Sequence, residues 1–217
     1  KTISPEIEYP YGETPMVLDE AGRPLEHVAL NATDSSLVVA GSAGSHLNVL
    51  SVSREENMMT GEVVSEQKRI ELPQMTEPVK AIFVDPRQQW LYVINGRALA
   101  DVFSLRDNSL NGRYKLLDDG NAEITASTQL VGGISLIVGN SKGGLAQWFM
   151  ARDPDGEQRF KQIRTFQMGT TPIVEITAEE RRKGFVALDA SGKFGVFHST
   201  AHRTLLVDPV VEGQGIF

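Results

Sequence analysis

The stretch Trp90-Leu91-Tyr92-Val93-Ile94-Asn95-Gly96, continued by Leu99 to Leu105, reads as two short β-strands joined by a tight turn. Aromatic, aliphatic and β-branched side chains in succession suit a pleated, buried surface. Asn-Gly is the strongest short hairpin signal, because both residues tolerate the positive φ of a two-residue turn. The same three-part pattern occurs three more times. Leu37-Val38-Val39-Ala40 leads through Gly41-Ser42-Ala43-Gly44-Ser45 to Leu47–Val52. Ile134 to Val138 leads through Gly139-Asn140-Ser141-Lys142-Gly143-Gly144 to Leu145–Met150, and Gly184 to Leu188 through Asp189-Ala190-Ser191-Gly192-Lys193 to Phe194–His198.

Working outward from each hairpin adds a strand on either side. Glu26–Leu30, Val79–Val84, Glu123–Ser127 and Ile173–Thr177 precede the four hairpins; Lys68–Leu72, Arg113–Leu117, Phe160–Phe166 and Thr204–Val207 follow them. Leu37, Leu91, Leu136 and Phe185 occupy equivalent positions at intervals of 54, 45 and 49 residues. Four strands in roughly 45–50 residues is the size of one propeller blade. The second strands are apolar on both faces, as strands packed between neighbouring sheets must be. The windows that come nearest to a helical period, Thr177–Gly184 and Leu145–Arg152, fall where a turn and a strand are expected.

The expected fold is therefore all-β, a β-propeller or partial propeller of about four four-stranded units, near 26–76, 77–121, 122–170 and 171–209 of a domain over 26–217. Residues 1–25, with Pro5, Pro10, Pro15 and Pro24, form an extended lead-in or half blade. Four units are fewer than most closed rings use, which predicts part of a larger ring or closure by atypical terminal strands.

Composition bounds the function. With 217 residues, 41% hydrophobic, folding buries roughly 70% of the unfolded chain's surface and forms a core without staples. Net charge −7, from 21 basic and 28 acidic residues, speaks against a nucleic-acid footprint. No apolar run reaches the ~20 residues of a membrane-spanning helix. The absence of cysteine excludes disulfides and thiolate metal sites. A start at Lys1 without a leader reads as a processed chain or an excised domain.

Two resemblances add to this. Small turns followed by apolar third strands such as Asp101-Val102-Phe103-Ser104 and Gln147-Trp148-Phe149 are similar to those of WD-repeat-like propellers. The Trp-Asp and Gly-His signatures of true WD repeats are missing, so the likeness is one of architecture. Gly195-Val196-Phe197-His198-Ser199-Thr200-Ala201-His202-Arg203-Thr204-Leu205-Leu206, together with Tyr11-Gly12-Glu13-Thr14-Pro15, Leu18-Asp19 and Gly22, resembles the large extracytoplasmic insertion of some proteobacterial phosphate ABC transporter permease subunits of the Pst type. That resemblance implies a periplasmic domain on the outer side of the inner membrane. Its partners would be other subunits of a phosphate importer or the periplasmic phosphate-binding protein. Transport residues would lie in membrane spans outside this chain.

Catalytic and metal motifs all have a plainer reading. Gly139-Asn140-Ser141-Lys142-Gly143 matches the G-x-S-x-G nucleophile elbow, with acids and histidines 198 and 202 downstream, so a serine hydrolase using Ser141 is the enzymatic alternative. The elbow requires a parallel sheet flanked by helices, whereas the same slot holds a hairpin turn in the other units. Asp107, Ser109, Asn111, Gly112 and Asp118 have the spacing of a calcium loop, but Arg113 and Lys115 crowd it and the closing acid is short, which favours a polar turn between third and fourth strands. Asp153-Pro154-Asp155-Gly156, with Arg164 at the twelfth position, is a turn. His198 and His202 straddle a turn without a third metal ligand. The Gly143-Gly144 backbone beside Lys142 needs no anion to explain it, and Arg181-Arg182-Lys183 is a solvated mixed-charge turn. Trp90 and Trp148 are assigned to packing between units. The expectation is a non-catalytic interaction or regulatory domain with no cofactor and no metal, an envelope scaffold propeller being the alternative within the same class.

Overall fold

A computed structural model describes residues 17–118 and 120–208; Tyr11-Gly12-Glu13-Thr14-Pro15, the prolines at 5, 10, 15 and 209, and 213–217 lie outside them. Sixteen strands form four antiparallel meanders, and no helix occurs among the described residues. The first sheet runs β1 (His27–Ala32), β2 (Ser36–Ala43), β3 (His46–Glu56) and β4 (Val63–Ile70). The second runs β5 (Val79–Val84), β6 (Trp90–Asn95), β7 (Leu99–Ser104) and β8 (Ser109–Lys115). The third has β9 (Ile124–Gln129), β10 (Ser135–Asn140), β11 (Gly144–Arg152) and β12 (Gln158–Gln167). The fourth has β13 (Ile173–Ala178), β14 (Gly184–Asp189), β15 (Phe194–His198) and β16 (Arg203–Val207). Strand order within every sheet is the order of the chain. Leu145–Arg152 is strand throughout, and Thr177–Gly184 crosses the turn from β13 to β14. The fourth strands of the first two sheets begin earlier than the sequence suggests, at Val63 and Ser109, because β3 pairs with Val63 to Gln67 and β7 with Ser109, Leu110 and Gly112.

The second strands explain how the sheets stack. Side chains alternate across a strand, so Leu91 and Val93 join the core shared with the first sheet, while Tyr92 and Ile94 join the core shared with the third. Ile137 likewise faces the fourth sheet and Leu136 the second. Each fully buried Leu, Ile, Val or Phe contributes roughly 1.5–3 kcal/mol, so an unbroken apolar strand is stabilised from two sides. The third position of the second strand thus points to the next sheet: Val38, Tyr92 and Ile137 are all buried. In the fourth sheet the same position is Val186, and its cross-strand neighbours Val196 (41% exposed) and Leu205 (62% exposed) lie open. Together they line a depression of about 640 Å³. At the other end, the outer face of the first sheet is partly covered by the lead-in. A Cβ on Gly41 would lie 2.6 Å from Leu18 Cδ2 and 3.2 Å from Leu25 Cδ1. Arg69 ties this segment down by donating to the carbonyls of Leu18 and Val17.

The second-to-third-strand turns differ from the expected Asn-Gly geometry, and the reason is a side chain. Asn95 Oδ1 accepts the N–H groups of Arg97 (3.0 Å) and Leu99 (3.2 Å). Asn140 Oδ1 accepts those of Lys142 and Gly144, and Asp189 Oδ1 those of Ser191 and Lys193. Asn and Asp mimic a backbone turn in this way. The residue three places further on takes the left-handed conformation: Ala98 (φ 57°), Gly143 (φ 72°) and Gly192 (φ 84°). In the first such turn the positive φ therefore falls on Ala98 and not on Gly96. The first sheet has Gly41 at the Asx position and turns two residues later, through Gly44 (φ 61°).

Candidate functional site

At the opposite end of the sheets, the β5–β6 turn is organised by a buried carboxylate. Asp85 Oδ1 accepts the N–H groups of Gln89 (2.6 Å) and Trp90 (2.7 Å), and Oδ2 that of Arg87 (3.2 Å). Gln88, held at φ 55°, reaches back to the first sheet, where its Nε2 donates to the carbonyls of Asn31 and Ser36 while Ser36 Oγ donates to its Oε1. Gln129 stitches the third sheet to the second by donating to the carbonyl of Val84. Tyr92 lies beneath this turn; burial, and secondarily the Asp85 charge, hold its phenol well above the ordinary value, so it stays neutral.

With Asp85 satisfied by backbone and Gln88 turned toward the first sheet, the space between the second and third sheets remains open. Two adjoining cavities of about 180 and 260 Å³ share Gln89, Trp90 and Gln158 as walls. Arg87 comes from the β5–β6 turn, Arg106 from the β7–β8 turn and Arg152 from the end of β11, so three separate segments supply cations to one groove. Its apolar surface is the half-buried Trp90 with Ile134, 56% exposed, across from it. The acids nearby are engaged elsewhere: Asp85 as described, and Asp107 by the Ser104 hydroxyl at 2.8 Å. Farther along β8, Arg113 is committed to the buried Asp101 through a two-point pair at 2.5 and 3.0 Å. That pairing raises the guanidinium's pKa further.

The motif residues fall into the turns. Ser141 Oγ accepts the N–H of Glu123 (3.0 Å), anchoring the start of the third sheet. His198 Nδ1 accepts the N–H of Ala201, and His202 Nε2 lies 3.1 Å from the carbonyl of Thr165 with its ring edge-on to Phe166. Ser141 and the histidines thus have different partners and do not bond to one another, and the sheet beneath Ser141 is antiparallel, unlike that of a nucleophile elbow. The calcium spacing does not close into a loop. Ser109 and Asn111 lie on the extended strand β8, which carries Asp118 about 20 Å or more from Asp107 at ~3.4 Å per residue. A Ca²⁺ ion gathers oxygens within about 2.6 Å. Asn111 instead donates to the Gln158 carbonyl and accepts from the Tyr114 hydroxyl. Asp153 to Gly156 is the β11–β12 turn, with Asp153 paired to Arg159 and Lys161. Trp148 is buried against Phe160, as a packing role requires, and Trp90 packs half-buried against the same core while its open side forms a groove wall. Nothing in a linear reading singles out the arginines, because 65 residues separate Arg87 from Arg152 and only the pairing of sheets brings them together.

No family model and no curated protein matches the chain. Solved structures do resemble it. The structure of U3-55K superposes with a TM-score of 0.56 at 11% identity, covering 89% of this chain and 54% of that one. The WD40 repeats of RRP9 give 0.55 at 12% identity, covering 94% and 56%. The chain thus spans about half the length of these structures, and the likeness is one of fold: an all-β, WD40-type propeller arrangement.

Proposed function

We propose that the chain is a non-catalytic protein-interaction domain, and that it serves as the periplasmic part of a phosphate ABC importer permease. The observation that carries the interaction reading is the division of labour among its polar side chains. Ser141, His198, His202 and Asn111 are engaged in turn and strand hydrogen bonds, while the inter-sheet groove presents cations and a tryptophan on a rigid frame. Loops on a rigid scaffold are the usual place for recognition. The WD40-type fold agrees with this role.

The finer assignment rests on the resemblance of Gly195–Leu206 to the Pst permease insertion; that segment folds as the β15–β16 hairpin of the fourth sheet. Partners would be the phosphate-binding protein and the companion importer subunits. Immobilised domain, challenged with purified phosphate-binding protein and with detergent-solubilised importer, tests both levels. Saturable binding to either supports the assignment. Binding to neither, in the presence and absence of phosphate, refutes the permease role.

A further inference from the structure

The groove between the second and third sheets has chemistry that identifies a class of ligand. We infer that it recognises an extended acidic peptide segment bearing an apolar side chain, contributed by a partner protein; this rests on the interaction-domain reading above and names what that domain would bind. Three observations converge. Arg87 and Arg106 come from separate turns and Arg152 from the end of β11, yet they line adjoining cavities of about 180 and 260 Å³. Asp85 and Asp107 share the groove and keep their charges, but neither forms an ion pair with these arginines among the described residues: Asp85 accepts three backbone N–H groups and Asp107 accepts the Ser104 hydroxyl. Arg152 itself donates only to the Gly156 carbonyl among the described hydrogen bonds and forms no ion pair among the described residues. With three guanidinium groups against two carboxylates, the groove carries a net positive charge in a chain of net charge −7.

The second element is apolar. Trp90 is half-buried against the core between the sheets and Ile134 is 56% exposed on the facing turn. An aromatic face beside unpaired guanidinium groups matches a carboxylate-flanked Leu or Phe. Arginine's planar fork binds carboxylates at two points, and tryptophan supplies contact area with little rotamer entropy to lose. Gln89 and Gln158 on the shared wall can serve the peptide backbone. A small anion would use the guanidinium groups and leave the apolar wall empty, so a peptide accounts for more of what is present.

Trp90 is also the reporter. The chain has two tryptophans, and Trp148 is only 7% exposed. The test titrates the 217-residue protein with acetyl-Glu-Asp-Leu-Phe-Glu-Asp-amide, its lysine-for-acid counterpart and inorganic phosphate, following Trp fluorescence and acrylamide quenching. The acidic peptide should saturate the signal and protect Trp90 from quencher. Its affinity should fall at least tenfold in R106E/R152E, whose exposed sites leave the fold intact by circular dichroism, and fall with added salt. In W90F the signal should vanish. Equal binding of the lysine peptide, no response to the acidic peptide, undiminished affinity in R106E/R152E, or full reproduction of the response by phosphate would each overturn the proposal. If the peptide fails while the domain still captures phosphate-binding protein or importer, only the groove assignment falls; if both fail, the interaction reading falls with it.

Discussion

Gly143 and Gly44 both sit at positive φ, 72° and 61°, and both close a second-to-third-strand turn, yet replacing each by alanine should have very different consequences. A left-handed conformation costs a non-glycine residue roughly 1–2 kcal/mol, and the reduced freedom of alanine in the unfolded chain returns about 0.4–1 kcal/mol. At Gly44 an added Cβ would meet nothing within 4 Å, so Gly44→Ala should destabilise by a net ~0.5–1 kcal/mol. At Gly143 the Cβ would lie 2.6 Å from the Gly169 carbonyl oxygen and 3.0 Å from that of Thr171. These are backbone atoms of the connection between the third and fourth sheets, held in place by the Met168 N–H on the Gly143 carbonyl, and cannot swing aside as a side chain would. Overpacking adds about 1–3 kcal/mol, for a total of ~2–4 kcal/mol. At about 2–4 °C per kcal/mol for a chain this size, Tm should fall by roughly 4–16 °C in Gly143→Ala and by roughly 1–4 °C in Gly44→Ala. Urea titration and calorimetry of both variants beside the wild type measure the difference. Equal losses within about 0.5 kcal/mol would show that torsion alone matters here and that the connection yields, refuting the steric argument.

Ala98 takes the same left-handed position without being glycine (φ 57°), so Ala98→Gly should stabilise by ~0.5–1 kcal/mol in urea titration; a loss of stability would contradict the turn geometry. Val196 and Val102 occupy equivalent registers, but one is 41% exposed and the other fully buried. Val196→Lys should therefore cost less than about 1 kcal/mol, while Val102→Lys should prevent folding by circular dichroism, a buried unpaired charge being worth several kcal/mol. The Asp19 carboxyl is held below its ordinary value by its hydrogen bond and ion pair with Arg23, 2.8 Å away. Its contribution is present above the unfolded-state value and is lost as pH falls through the lower folded-state value. Hydrogen-exchange protection of 17–25, taken relative to the intrinsic rate at each pH, should fall on acidification through that range, and Asp19→Asn should reproduce the effect at neutral pH; unchanged protection in the variant would refute the pairing's role. Ser141→Ala removes the acceptor of the Glu123 N–H and should lower stability by about 0.5–1.5 kcal/mol. Its background hydrolysis of p-nitrophenyl acetate should equal that of the wild type, and a clear drop would revive the nucleophile.

How far the structure was legible depended on whether its signal lay within one window of residues. Strand existence was legible because Leu91 to Ile94 must be apolar on both faces when sheets cover both. The turn type was not, because Asn95-Gly96 matches the sequence of a two-residue hairpin, while the Asn95 side chain, by capturing the N–H groups of Arg97 and Leu99, moves the left-handed residue to Ala98. The recurring Asn95, Asn140 and Asp189 carry a signal that aligning the units on Leu91, Leu136 and Phe185 exposes, each lying four residues beyond its reference.

By itself the amino-acid order determined that this protein is a row of four-stranded antiparallel units, since period, composition and turn chemistry are local and each repeat states them again. It also determined that the hydrolase spacing falls where the third unit needs a turn. Only the tertiary structure decided that Ser109 and Asn111 extend along a strand away from Asp118, that Ser141 supports Glu123, and that Arg87, Arg106 and Arg152 share one groove beside Trp90. The physical reason is that side chains on different sheets meet through stacking, and stacking depends on which faces bury each other rather than on distance along the chain.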